Sequence, residues 1–175
     1  MEWSQAINLG CGIINHIVSS KSLKKISITS SGISRGPVDN LLNIRDPGIT
    51  VTKEDASSDS WFMWDFQVQR ILAITGYMLI CEGFGSFGFP CQWKVEASLD
   101  GSQWTIVSQG SGNSGEWPWV YRNAEIHKLA RYTKITQIGK NSKSNMKFCL
   151  SGVEFYGQLY TTVDEEYSSL PLAKV

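Results

Sequence analysis

The sequence has no excess of charge of either sign: 16 Lys and Arg balance 16 Asp and Glu, and charged residues make up only 18% of the chain. A chain like this generates no long-range field to gather nucleic acid or to hold an anionic membrane surface. Neither a nucleic-acid partner nor stable membrane insertion is therefore expected. Histidine is scarce. His16 and His127 are the only two, neither is spaced with a nucleophile or a second ligand, and both are expected to be structural or surface residues. No catalytic residue is assigned, and the chain is not expected to be an enzyme. Its four cysteines, Cys11, Cys81, Cys91 and Cys149, include no pair at zinc-ligand spacing. Asp39, Asn43 and Asp46 offer oxygens but match no calcium loop. The expectation is no metal and no cofactor. Gly83 to Gly88 has alternate glycines without the Lys or the helix that would hold a phosphate, which argues against nucleotide binding.

Long apolar runs are also missing: nothing approaches the ~18 residues of a membrane-spanning helix. The opening Met1-Glu2-Trp3-Ser4 shows neither the basic start nor the apolar stretch of a signal peptide. A cytoplasmic protein, with the cytoskeleton as a candidate site of association, is the expectation. In that reducing setting the cysteines read as buried thiols. In an oxidising one, the pairings to test are Cys81 with Cys91 and Cys11 with Cys149.

What the chain does have is 16 glycines and a large aromatic complement of seven Trp, six Tyr and seven Phe. That mixture suits short strands and tight turns. Trp93, Val95 and Ala97 alternate with Lys94, Glu96 and Ser98, the period of a strand with one buried and one wet face. Asp100-Gly101 supplies a hairpin turn, and a second strand follows from Trp104 to Val107. This hairpin is expected at the centre of the sandwich, with both Trp93 and Trp104 pinning the core. Lys24 to Ser30 reads as the first strand, with Ile26 and Ile28 inward. Trp61 to Phe66 is bulky on both faces and reads as a central strand covered on both sides, with Asp65 a structural hydrogen-bond acceptor. Further strands are expected at Ile71 to Ile80, bent at Gly76, at Ala130 to Gln137 and at Phe148 to Tyr156, and a helical turn at Ile13 to Val18. The fold class that follows is all-β, an antiparallel sandwich of jelly-roll type with about eight core strands. The domain division is an N-terminal lead-in over 1–19, the sandwich over 20–159, and an acidic tail over 160–175 containing Asp164-Glu165-Glu166.

Four segments together resemble the coagulation factor 5/8 C-type (discoidin-like) domain, one of the galactose-binding-like jelly rolls. They are Ser60-Trp61-Phe62-Met63-Trp64-Asp65-Phe66, then Trp93 through Trp104 with its Ser-x-Asp-Gly-x-x-Trp core, then Ala130-Arg131-Tyr132-Thr133-Lys134-Ile135, and Leu150-Ser151-Gly152-Val153-Glu154-Phe155-Tyr156-Gly157. They occur in the family's order and span about residues 20 to 159. The resemblance implies an eight-stranded jelly roll that serves as a non-catalytic adhesion or adaptor module. The end-tying cysteines of secreted members are not reproduced, so the chain looks more like the intracellular type.

The resemblance directs attention to loops at the sandwich ends. Phe84, Phe87 and Phe89 lie on the Gly-rich loop 83–90, and outward rings there would mark an interface. Trp117 and Trp119 are suited to stacking on a sugar or anchoring a protein contact, and Arg35 in the Ser/Gly/Pro loop completes the candidate binding set. Lys140, Lys143 and Lys147 read as a solvated loop. The leading expectation is a subunit or adaptor that joins protein partners in a larger intracellular assembly, cytoskeletal or ciliary. A lectin-like module with a glycan partner is the alternative, and peripheral membrane binding through the Phe loop is a second alternative.

Overall fold

The computed structural model describes residues 7–9, 12–20, 26–55 and 58–162. The chain enters through β1 (Ile7–Leu9) and α1 (Ile13–Ser19), then β2 (Ser27–Ser30), β3 (Ile33–Arg35), a 3-10 turn over Val38–Leu42, and β4 (Thr50–Thr52). The strands β5 (Trp61–Asp65) and β6 (Arg70–Ile80) follow, and a four-residue helix α2 (Phe84–Phe87) leads to β7 (Gln92–Ser98) and β8 (Thr105–Ser111). The remainder is β9 (Trp119–Asn123), β10 (Leu129–Ala130), β11 (Tyr132–Gln137), β12 (Cys149–Leu150) and β13 (Gly152–Thr161).

These strands make the expected antiparallel sandwich. One five-stranded sheet runs β2-β5-β11-β7-β8, the other β1-β13-β6 with β9 and β10 both on the far side of β6, and a small β12-β4-β3 sheet closes one end. The two large sheets hold five strands each, more than the eight expected, because β1 adds to β13 and β9 and β10 share one edge. Alternation puts Phe62, Trp64 and Phe66 from one sheet against Val153 and Phe155 from the other, all with no exposed surface. Trp64 and Phe66 both meet the Phe155 ring edge-on, with centroids 5.7 and 6.1 Å apart. Trp93 is fully buried, and its indole N–H donates across the layers to the Tyr77 hydroxyl at 3.0 Å.

Several strand readings need correction. The β7–β8 hairpin is not central: β8 is an edge strand. Its turn is as expected, with Gly101 at φ 77 and Asp100 Oδ1 accepting from the Ser102 and Gln103 amides at 2.8 and 2.9 Å. Trp104 does not reach the core. It is half-buried on the outer face, and the Lys134 ammonium sits 4.2 Å from its ring centroid. β5 is covered on one face only, since Trp61, Met63 and Asp65 are half-buried. The span Ala130 to Gln137 is two strands in different sheets, β10 and β11, and the crossing point is Arg131. Its guanidinium makes a two-pronged bond to Asp65 at 2.8 and 2.9 Å, which confirms Asp65 as a structural acceptor. The last span likewise breaks at Ser151, whose amide and hydroxyl are engaged by Ile80 and Glu82.

The outer face of the β13 sheet is capped by α1. Glu154 points away from Val153 and Phe155, and its carboxyl accepts from the amides of Ile14 at 2.7 Å and Asn15 at 2.9 Å. The first-turn amides of a helix have no partner within it, and here the acceptor comes from a strand remote in sequence. Gly12, at φ 93, is required by this contact, because a Cβ there would overlap the Glu154 side chain.

Candidate binding site

Register places many of the chain's loops at one end. Ile80 pairs with Trp119 and Gly152, Gln92 with Ser111, Gln137 with Trp93, and Trp61 with Thr136. The segments 81–91, 112–118 and 138–148 therefore leave the sandwich together, beside the small sheet that carries Arg35. Of the residues singled out from sequence, the structure joins two pairs. Arg35 is exposed, with its guanidinium 5.1 Å from the centroid of the half-buried Phe87 ring. Phe89 stacks on Trp117 at 6.1 Å, and Trp117, which is buried, meets Trp93 edge-on at 5.9 Å.

Phe87 and Phe89 thus pack against the core and close its end; they do not project as an apolar spike. The Phe84 side chain lies outside what is described. Their loop is tied down by Asn141, a buried residue that sequence reasoning missed. Its side-chain amide donates to the carbonyls of Phe87 at 3.0 Å and Lys147 at 2.9 Å, while its oxygen accepts from the Lys143 amide at 2.9 Å. Ser142 binds both main-chain groups of Phe89, each at 3.0 Å. Nothing in a polar loop with several Asn and Ser residues marks which one will be the hub.

Trp119 turns the other way from Trp117. It is 48% exposed, and Tyr121, two residues on and on the same face of β9, is 52% exposed. The Tyr121 ring meets Tyr156 edge-on at 5.6 Å, and the Tyr156 hydroxyl points to the Met78 sulfur. An aromatic strip therefore runs along the outer face of the sheet from the loop end. Gly76 belongs to it, since a Cβ there would crowd the Tyr121 hydroxyl. Beside the strip, the Tyr121 hydroxyl donates to Asn123 Oδ1 at 3.1 Å. Arg122 points off this face, to the Ser111 carbonyl and Glu116, and its hydrogen bond holds the Glu116 carboxyl below the ordinary range. The alternation Trp117-x-Trp119-x-Tyr121 contained the signal for a shared face of Trp119 and Tyr121. Tyr156 arrives from a strand far along the chain.

The opposite end is apolar in a different way. Val68, Leu99, Ile106, Ile126 and Leu129 are each 40–53% exposed there, and a cleft of 260 Å³ opens between Leu99 and Leu129, with Asp100, Gln103 and Lys128 also on its wall. Among the described residues no group of three His, Cys, Asp or Glu side chains could hold a metal ion, and no helix is long and apolar enough to cross a membrane. The Asn43 side-chain oxygen instead accepts from the amides of Arg45 and Asp46, a turn-capping role. Of the cysteines, Cys81 faces Cys149 and not Cys91, which is half-buried beside the Phe89 carbonyl; Cys11 lies outside the described residues.

No protein-family model matches this sequence, and no curated protein does. Solved structures do. A family 32 carbohydrate-binding module from a family 31 glycoside hydrolase of Clostridium perfringens superposes with a TM-score of 0.63 at 15% identity, over 75% of this chain and 90% of that one. The family 32 module of C. perfringens NanJ, determined with galactose, gives 0.59 at 12% identity, over 77% and 93%. An F5/8 type C domain from Bacteroides fragilis gives 0.61 at 12%, over 76% and 91%. Together with the sheet order and the loop end, these similarities identify the fold as the discoidin-like, galactose-binding-like jelly roll shared by F5/8 type C domains and family 32 carbohydrate-binding modules.

Proposed function

We propose that this chain is a non-catalytic carbohydrate-binding module that receives a sugar on the Trp119 and Tyr121 rings beside the loop end. The observation that carries this reading is the pair of half-exposed rings on one strand face, in a fold whose similar structures include modules seen with galactose, with GalNAc-β-1,3-galactose and with an unsaturated mannuronic acid. Trp and Tyr combine a broad apolar face with a polar edge, which suits a pyranose, apolar on its C–H face and polar around its rim. Orientation would come from the Asn123 amide at one end of the strip. The test is a glycan array followed by calorimetric titration of the best hits. Trp119→Ala and Tyr121→Ala are expected to weaken binding at least ~10-fold, about 1.4 kcal/mol, without lowering the melting temperature. An array without hits, or variants that bind like the wild type, would remove the reading.

A second reading, an interaction module within a larger intracellular protein assembly, is favoured by the far end. Exposed Leu99 and Leu129 face each other across the cleft, and with Val68, Ile106 and Ile126 also exposed they give this end the apolar surface that marks protein interfaces. Affinity purification from the native cell should then recover partners in stoichiometric amount, and Leu99→Ser with Leu129→Ser should release them. A protein that runs as a free monomer in lysate would count against it. Phe87 and Phe89, packed against the core, give no support to membrane binding through the Phe loop.

A further inference from the structure

Two thiols far apart in the sequence are brought together under the loop end. Cys81 follows β6 directly, and Cys149 opens β12. The last residue of β6 and the link from β12 to β13 are joined by the Ser151 amide, which donates to the Ile80 carbonyl at 2.6 Å, and by the Glu82 amide, which donates to the Ser151 hydroxyl at 3.0 Å. These bonds hold the chain after β6 against the chain two residues beyond Cys149. Both cysteines have no exposed surface, and the side chain of Cys149 is close enough to Cys81 to act on its thiol. Gly83 makes room for the pair: a Cβ there would lie 3.0 Å from the Cys149 sulfur. The Cys81 sulfur also faces the Gly88 carbonyl at 3.7 Å, so the segment 81–91 folds over the sulfurs as a cover.

We infer that Cys81 and Cys149 form a redox-responsive pair that closes to a disulfide when a peroxide or a low-molecular-weight disulfide reaches it, fastening the segment 81–91 to β12. At rest the cover and the neighbouring Cys149 side chain hold Cys81 protonated, its thiol pushed far above the ordinary range by that side chain and by burial, so reaction follows opening of the cover. With peroxide, one sulfur attacks an oxygen. An S–O bond forms, the O–O bond breaks, and the departing hydroxide takes the thiol proton as water. The second sulfur then attacks the sulfenic sulfur. The S–S bond forms, the S–O bond breaks, and a second water leaves. Two electrons pass from the two sulfurs to the peroxide.

Peptide mapping of the full chain tests this. Wild-type protein is held with hydrogen peroxide or glutathione disulfide, alkylated, denatured and digested. The expected product is a cross-linked peptide joining Cys81 to Cys149, lighter by two hydrogens than its parts, with Cys91 alkylated. The melting temperature is expected to rise by about 5 °C or more and to return on reduction with dithiothreitol. Cys91→Ser should keep both effects, and Cys149→Ser should lose both. A Cys81–Cys91 or Cys11–Cys149 cross-link, oxidation of either sulfur to an acid without cross-linking, or full alkylation after oxidant would each overturn the inference. Mapping of the wild type decides the matter even if Cys149→Ser fails to fold.

Discussion

Removing the Glu154 carboxyl should expose how the N-terminal helix is held. The group is fully buried and accepts from the amides of Ile14, Asn15 and Phe155. In Glu154→Ala these donors lose their acceptor, at about 1–3 kcal/mol for each unpaired buried donor. The alternative is for α1 to undock, which would forfeit the burial of Ile13, Ile14 and Ile17 at about 1.5–3 kcal/mol each. The two routes cost similar amounts, so a loss of at least about 3 kcal/mol is expected, read as a lower urea midpoint with early hydrogen exchange in α1. Glu154→Gln adds a pH signature. Burial raises the carboxyl from its ordinary value near 4.5 to about 7, while the amide bonds hold it from rising further. A folded-state value above the unfolded one means that the folded protein keeps this proton more readily. The group's contribution is therefore fully present below about 4.5 and declines as the pH rises to about 7. The interval is worth about 3 kcal/mol at about 1.4 kcal/mol per pH unit. Glu154→Gln does not titrate, so its stability relative to the wild type should improve by up to that amount between pH 4.5 and pH 8. A flat difference across that range would refute the raised value, and a cost under about 1 kcal/mol for Glu154→Ala would refute the capping role.

The two tryptophans of the hairpin should behave unlike each other: Trp93→Ala is expected to cost about 3–5 kcal/mol in chemical denaturation, and Trp104→Ala, which bares only an outer-face contact with Lys134, under about 1.5 kcal/mol. Equal losses would contradict the placement of Trp104. Asp65→Ala breaks a half-exposed two-pronged ion pair at the point where the chain changes sheets, so a loss of about 1–2 kcal/mol is expected, and a double-mutant cycle with Arg131→Ala should return a coupling near zero only if the pair is idle.

Local chemistry made much of the sandwich readable. The alternation of Trp93, Val95 and Ala97, the Asp100-Gly101 turn, and the repeated bulky residues of Phe62, Trp64 and Phe66 each specify a strand face or a reversal within a few residues. The site was readable only in part, because an aromatic side chain declares apolar area and not its direction. Trp117 folded inward onto Trp93 and Phe89 stacked on Trp117, while Trp119 turned outward.

What the sequence by itself determined is therefore the all-β class, the strand-and-turn order and the acceptor role of Asp65, all set by period, turn chemistry and the cost of burying a charge. Tertiary structure alone decided which strands lie at edges, that the chain crosses between sheets at Arg131, that Tyr156 joins Tyr121 and that Cys81 meets Cys149. Those outcomes depend on contacts between residues distant along the chain. Such contacts follow from the register of whole strands, so no local pattern encodes them.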